Sequence, residues 1–234
     1  MAFTNSHHTF KRFDTELDSL VSQVLEMARA AEQQVTRAVE AFRIGDVEIA
    51  REVVATDDII NRRDTDIDRS CIRLLSRRQP MSTDLRLIMS LNKAVQDLER
   101  IGDEAKNIAN KTLAIQAREG ALGPGIASDV HHLAQLVLRR FQTAQEVLAH
   151  LNAERAWQLV GREDAVDEVD EVDEVFQDNL RALSTHALDG GPAVANLIDV
   201  VLAIKALKRV SDHAENLAEY VIYVVEGRDV RHQR

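Results

Sequence analysis

The sequence predicts an all-α protein made of two tandem, pseudo-symmetric three-helix bundles, six long antiparallel helices in all. Three observations predict it. Apolar residues recur at three- and four-residue steps almost throughout, with no convincing run of strand-like alternation. Residues 85–113 (LRLIMSLNKAVQDLERIGDEAKNIANKTL) and 194–222 (VANLIDVVLAIKALKRVSDHAENLAEYVI) align without a gap at an offset of 109, so that Leu98, Arg100, Asp103, Ala105 and Asn107 recur as Leu207, Arg209, Asp212, Ala214 and Asn216. Finally, Pro80, Pro124 and Pro192 all fall between helical patterns rather than inside them.

In chain order, Leu17, Leu20, Val24, Met27, Ala31, Val35, Ala38 and Phe42 mark a first helix over 10–44. Asp46, after Gly45, is a side-chain N-cap for a second over 46–78. Ser82 or Thr83, after Pro80, caps a third over 83–118. The string GALGPG at 120–125 is a linker, and it falls where the repeat requires a boundary between one bundle at 10–119 and another at 126–228. The second bundle reads as helices at 126–151, 153–188 and 193–226, the last beginning after DGGP at 189–192. A helix of about 35 residues spans roughly 50 Å, too long to stand alone and suited to an elongated bundle. Symmetry suggests that the two repeated helices pack on each other about a pseudo-two-fold axis.

Composition limits what such a bundle can do. Lys and Arg number 29 against 39 Asp and Glu, a net charge of −10, which removes the usual drive toward nucleic acid phosphates. Aromatic residues are only 4% of the chain, leaving few platforms on which bases could stack. No apolar run approaches the roughly 20 residues needed to cross a bilayer, and MAFTNSHHTFKRF is not a signal peptide, so the expected location is the cytoplasm, without direct membrane insertion. The single cysteine, Cys71, sits in SCIRLL and reads as a packed thiol.

Side-chain oxygens repeat as well. Asp57, Asn61, Asp64 and Asp68 correspond, at an offset of 106, to Glu163, Asp167, Asp170 and Glu174. Steps of four, three and four place each set on one stripe of a helix. Glu99 and Asp103 on the third helix, and Asp212, Glu215 and Glu219 on the sixth, supply acidic sets that could face these stripes. Two readings stand side by side: solvated faces of a highly charged chain, or oxygen-only sites for hard cations such as Mg²⁺, Mn²⁺ or iron. Gly102 and Ser211 lie beside these groups in mid-helix, where glycine costs about 1 kcal/mol against alanine and calls for a close approach.

Enzymatic readings find little to work with. A di-iron carboxylate bundle needs Glu-x-x-His pairs, and the chain has none. It also lacks a Walker-type phosphate loop, a glycine-flanked nucleophilic serine and a Cys/His constellation. His131, His132, His150 and His186 read as solvent-facing or helix-end residues. Arg77, Arg78 and Arg86, near a bundle end, are either a docking surface or an ordinary solvated turn.

The strings FDTELDSLVSQVLEMA at 13–28, QPMSTDLRLIM at 79–89, LERIGDEAKNIA at 98–109 and RVSDHAENLAEYVIYVVEGRDVRH at 209–232 resemble those of the PhoU family of bacterial phosphate-uptake regulators. The resemblance spans nearly the whole chain and implies a tandem pair of three-helix bundles with no enzymatic reaction. It implies a cytoplasmic negative regulator that links a phosphate ABC transporter, through its ATPase, to a sensor histidine kinase, held at the inner face of the membrane by those partners. An accessory role for another transporter or a phosphate-storage system is the alternative. A homodimer is allowed, since long helices pair within or between chains.

The resemblance also implies metal motifs of the form Glu or Asp, three residues, then Asp. Glu99 to Asp103 and Glu163 to Asp167 match, whereas Asn61 follows Asp57 and Lys208 precedes Asp212. The metal-ligand set implied is therefore Asp57, Asn61, Glu99, Asp103, Glu163, Asp167 and Asp212, holding divalent or trivalent ions, with the first bundle favoured because Lys208 brings a positive charge to the second.

Overall fold

A computed structural model describes residues 11–118, 123–161, 170–188 and 194–230. Those residues form seven α-helices and no strand: α1 (Lys11–Ile44), α2 (Val47–Arg78), α3 (Ser82–Ala117), α4 (Pro124–His150), α5 (Ala153–Val160), α6 (Glu171–Leu188) and α7 (Val194–Glu226). The chain is all-α, as its periodicity requires.

Local chemistry sets most of the boundaries. Gly45 adopts φ +73°, and Asp46 Oδ1 then accepts from the Ile49 amide at 2.9 Å to open α2. The start of α3 departs from expectation, because Met81 holds the N-cap position without a side-chain bond and Ser82 adopts φ +50°. Gln79 already turns left-handed at the end of α2 and donates its amide to the Leu75 carbonyl, so the connection is closed by backbone rather than by a serine or threonine hydroxyl. Part of the expected 120–125 linker lies outside the described residues, and α4 opens at Pro124, which suits the first helical turn.

The expected helix over 153–188 is two helices. Gly161 leaves the helical region with φ +81°, ending α5, and Asp170 lies outside α6, accepting from the Val172 amide at 2.9 Å. Glycine accepts that positive φ without a Cβ penalty, and an aspartate offers its oxygen to otherwise orphaned amides at a helix start. Asp170 is consequently a capping residue rather than a rung on a continuous helical stripe.

The core follows the apolar stripes: Leu17, Leu20, Val24 and Met27 of α1 pack with Leu87, Ile88, Leu91 and Leu98 of α3, and Phe141 anchors α4. Helices α3 and α7 lie antiparallel along each other, bringing the repeated segments together. At one end Arg86 donates to the Val224 carbonyl at 3.1 and 3.2 Å, and at the other Arg118 Nε donates to Asn196 Oδ1 at 2.9 Å. Arg209 meets Glu104 at 3.1 Å and Lys111 meets Asp199 at 3.3 Å between them. A second link joins α1 to α4, where Glu32 accepts from Gln142 at 2.7 Å and Gln145 at 2.8 Å.

Gly102 has the close-approach role its position implied. A Cβ built there would lie 2.7 Å from Ile60 Cδ1 of α2, so the missing side chain lets the two helices come together. Its counterpart Ser211 is fully buried and accepts from Arg140 Nη1 at 3.2 Å.

Candidate functional site

The first acidic region is carried by α2 and α3. Asn61 is exposed on α2, Glu99 half-buried and Asp103 exposed on α3; the side chain of Asp57 lies outside the described residues. Farther along α2, Asp68 accepts from Asn92 of α3 at 3.1 Å, which ties that end of the stripe to α3. Burial, together with the neighbouring Asp68 charge, raises the pKa of Asp64. Crowded, partly buried carboxylates of this sort gain from a cation, and the donor set of carboxylates and one amide oxygen suits a hard one.

The second acidic region carries its own cations. Lys208 Nζ lies 2.7 Å from Asp173 Oδ1 and 2.6 Å from Asp212 Oδ1, occupying the space between α6 and α7. Burial alone would lower its pKa, but the hydrogen bonds it donates to those two aspartates outweigh burial and raise it. Arg140 of α4 pairs with Asp170 and also donates to the Leu159 carbonyl at 3.2 Å. For Asp170 burial pushes the pKa up; the Arg140 contact, assisted by the Val172 amide and Lys208, brings it below the usual carboxylate value. Asp212 thus has an ammonium partner, while Glu163 and Asp167 lie outside the described residues. Among the described residues no group of three His, Cys, Asp or Glu converges as a metal-binding cluster. Glu215 and Glu219 are buried on α7 instead of lining an open groove.

The seam between α3 and α7 contains a polar centre that sequence reasoning missed. Asp97, 6% exposed, accepts from His213 Nδ1 at 2.7 Å, Asn216 Nδ2 at 3.0 Å and Tyr220 OH at 2.7 Å. One carboxylate of α3 therefore holds three donors of α7. A signal was present: at the offset of 109, Asp97 corresponds to Ala206, an aspartate at a core position where the other copy has a methyl group. His213 also borders a polar cavity of about 290 Å³ with Arg100, Asp103 and Asn107.

Cys71 is the packed thiol expected, and burial, with Asp68 nearby, pushes its pKa up to about 11, well away from a reactive thiolate. His132 and His150 are exposed, His131 is partly buried on α4, and the side chain of His186 lies outside the described residues.

The two-copy architecture has counterparts in known proteins. The family model for the PhoU domain matches residues 24–112 and again 130–221. The chain belongs to the PhoU family. It is 38% identical over 227 residues to the "phosphate-specific transport system accessory protein PhoU homolog" of Pseudomonas aeruginosa, covering 97% of this chain and 90% of that one. It is 28% identical over 225 residues to the "phosphate-specific transport system accessory protein PhoU" of Escherichia coli, covering 96% and 90%. The crystal structure of PhoU from Pseudomonas aeruginosa superposes with a TM-score of 0.82 at 36% identity, covering 92% of this chain and 100% of that one. A Streptococcus pneumoniae phosphate transport system regulatory protein PhoU shares the fold, with a TM-score of 0.81 at 23% identity and coverage of 93% and 99%. These relatives bear accessory and regulatory names, and the chain stands with them as a non-enzymatic PhoU protein.

Proposed function

We propose that this PhoU protein is an accessory regulator of phosphate transport, restraining phosphate uptake and phosphate-starvation signalling by binding other proteins. The observation that carries this reading is similarity along almost the entire chain to relatives named accessory proteins of the phosphate-specific transport system. The partners in this reading are the ATPase of a phosphate ABC transporter and a sensor histidine kinase. Among the described residues no helix is long and apolar enough to cross a membrane, which fits a cytoplasmic protein held at the membrane's inner face by those partners. A phosphate-starvation reporter measured in high phosphate, with and without the gene, tests the assignment. Derepression on deletion is expected; unchanged reporter activity would remove the signalling role.

The proposal includes a cation held in the first bundle by Asp57, Asn61, Glu99 and Asp103. When bound, the ion would neutralise carboxylates gathered on α2 and α3 and bind the two helices together. In the second bundle Lys208 supplies positive charge to Asp212 from within the chain, so the two halves differ in their dependence on metal.

A further inference from the structure

The carboxyl-terminal third of α2 is a charge outlier in an acidic protein. Residues 69–78, RSCIRLLSRR, contain four arginines and no carboxylate. Two of the four are engaged by acids: Arg69 lies 3.5 Å from Asp66, and Arg78 grips both oxygens of Glu16 on α1 at 2.8 and 2.9 Å. Arg73 and Arg77 pair with no carboxylate among the described residues.

Those two arginines form one wall of a groove of about 390 Å³ between α1 and α2, a volume of the order taken by small-molecule ligands. Leu20 and Leu74 also line it, and Ser19 and Gln23 face the arginines from α1. Its one carboxylate, Glu16, is neutralised by Arg78, whose hydrogen bond holds the Glu16 pKa below its ordinary value. Arg73 Nη2 donates to Ser70 Oγ at 3.0 Å, which positions one guanidinium. Gln23 donates to Ser19 Oγ at 3.3 Å, occupying an acceptor lone pair and leaving the Ser19 O–H with no acceptor among the described residues.

The repeat supplies a comparison. At the offset of 106, Arg73 corresponds to Asn179 and Arg77 to Leu183, and both counterparts are buried in the second unit. The first unit keeps a polar opening where the second has filled its core. We infer that this groove is a binding site for a small phosphate-bearing polyanion of the phosphoanhydride type. Guanidinium forks bind phosphate oxygens in pairs, and two forks one helical turn apart, about 6 Å along the axis, match two linked phosphoryl groups better than one.

The test is calorimetric titration of the full chain with pyrophosphate at fixed ionic strength, in a metal-free buffer containing a chelator, with orthophosphate titrated in parallel. Pyrophosphate binds more tightly than orthophosphate, and Arg73→Gln and Arg77→Gln each weaken it roughly tenfold or more, the loss of one charge-assisted pair. Arg181→Gln, which removes an exposed α6 arginine paired with Asp178 at 2.9 Å, leaves affinity unchanged. Circular dichroism melts check that all three variants stay folded. No binding at millimolar pyrophosphate, equal affinity for orthophosphate, or affinity unaffected by the Arg73 and Arg77 substitutions overturns the inference. So does an equal loss in the Arg181 variant.

Discussion

His213 Nδ1 lies 2.7 Å from Asp97 Oδ1, joining α7 to α3 at the centre of the seam between the two repeats. Tyr220 and Asn216 donate to the same carboxylate, so its removal takes one acceptor from three donors, Tyr220 buried and His213 and Asn216 half-buried. Each stranded group costs about 1–3 kcal/mol, less whatever relaxation recovers, so Asp97→Ala is expected to lower unfolding free energy by about 2–4 kcal/mol. Asp97→Asn preserves shape and one acceptor oxygen and is expected to lose less. Urea denaturation of both variants measures this; an Asp97→Ala protein as stable as the parent would mean that the seam does not depend on the carboxylate.

The proposed cation gives an independent expectation. Replacing Glu99 and Asp103 together by alanine removes both carboxylates that α3 offers, so the purified double variant is expected to carry less metal than the parent by elemental analysis. Equal content in both rules the first-bundle site out. The variant Lys208→Glu completes the acidic motif ahead of Asp212 and removes the resident ammonium, so added cation is expected to stabilise it more than the parent.

These expectations also mark how far the sequence reached. Helix class, the repeat and the role of Gly102 were legible because apolar spacing and a mid-helix glycine are local signals. The pairing of the two repeated helices followed from repeat symmetry, yet Asp97 did not, because its one signal, an alanine at the matching place in the other copy, does not reveal burial until Tyr220 and His213 are seen around it. The division of the fifth expected helix went unread for a related reason: Gly161 and Asp170 each fit a helix-compatible pattern, and only their backbone geometry makes them a stop and a cap. Arg140 was likewise silent, since its partners lie far along the chain, Asp170 just ahead of α6 and Ser211 on α7.

The Arg140–Asp170 pair has a pH signature. The folded-state pKa of Asp170 lies below its ordinary 3.8, so the pair's contribution is complete above that pH and is lost as pH falls below it, when the folded carboxylate takes up a proton. Asp170→Asn is therefore expected to be less stable than the parent at neutral pH, with the difference shrinking in acid. Thermal melts between neutrality and about pH 3 test the sign. A difference that grows with acidity would contradict the assignment of Arg140 as the partner that matters.

Gly102 and Ile60 give the sharpest test of helix packing. Alanine at 102 would gain about 1 kcal/mol of helix propensity over glycine. Against that gain, the new Cβ would sit 2.7 Å from Ile60 Cδ1, and Ile60 is itself only 1% exposed, with little room to turn away. Overpacking costs typically 1–3 kcal/mol, so Gly102→Ala is expected to destabilise by about 1 kcal/mol net. Ile60→Val deletes the obstructing methyl and alone costs about 0.5–1.5 kcal/mol through the lost contact. In the double variant the alanine methyl occupies part of the space that Cδ1 vacated, so the two costs are expected to add to less than their sum by about 1 kcal/mol, a coupling that a double-mutant cycle in urea resolves. Strict additivity would mean that α2 and α3 adjust as whole helices, and that the absence of a side chain at Gly102 does not set their approach.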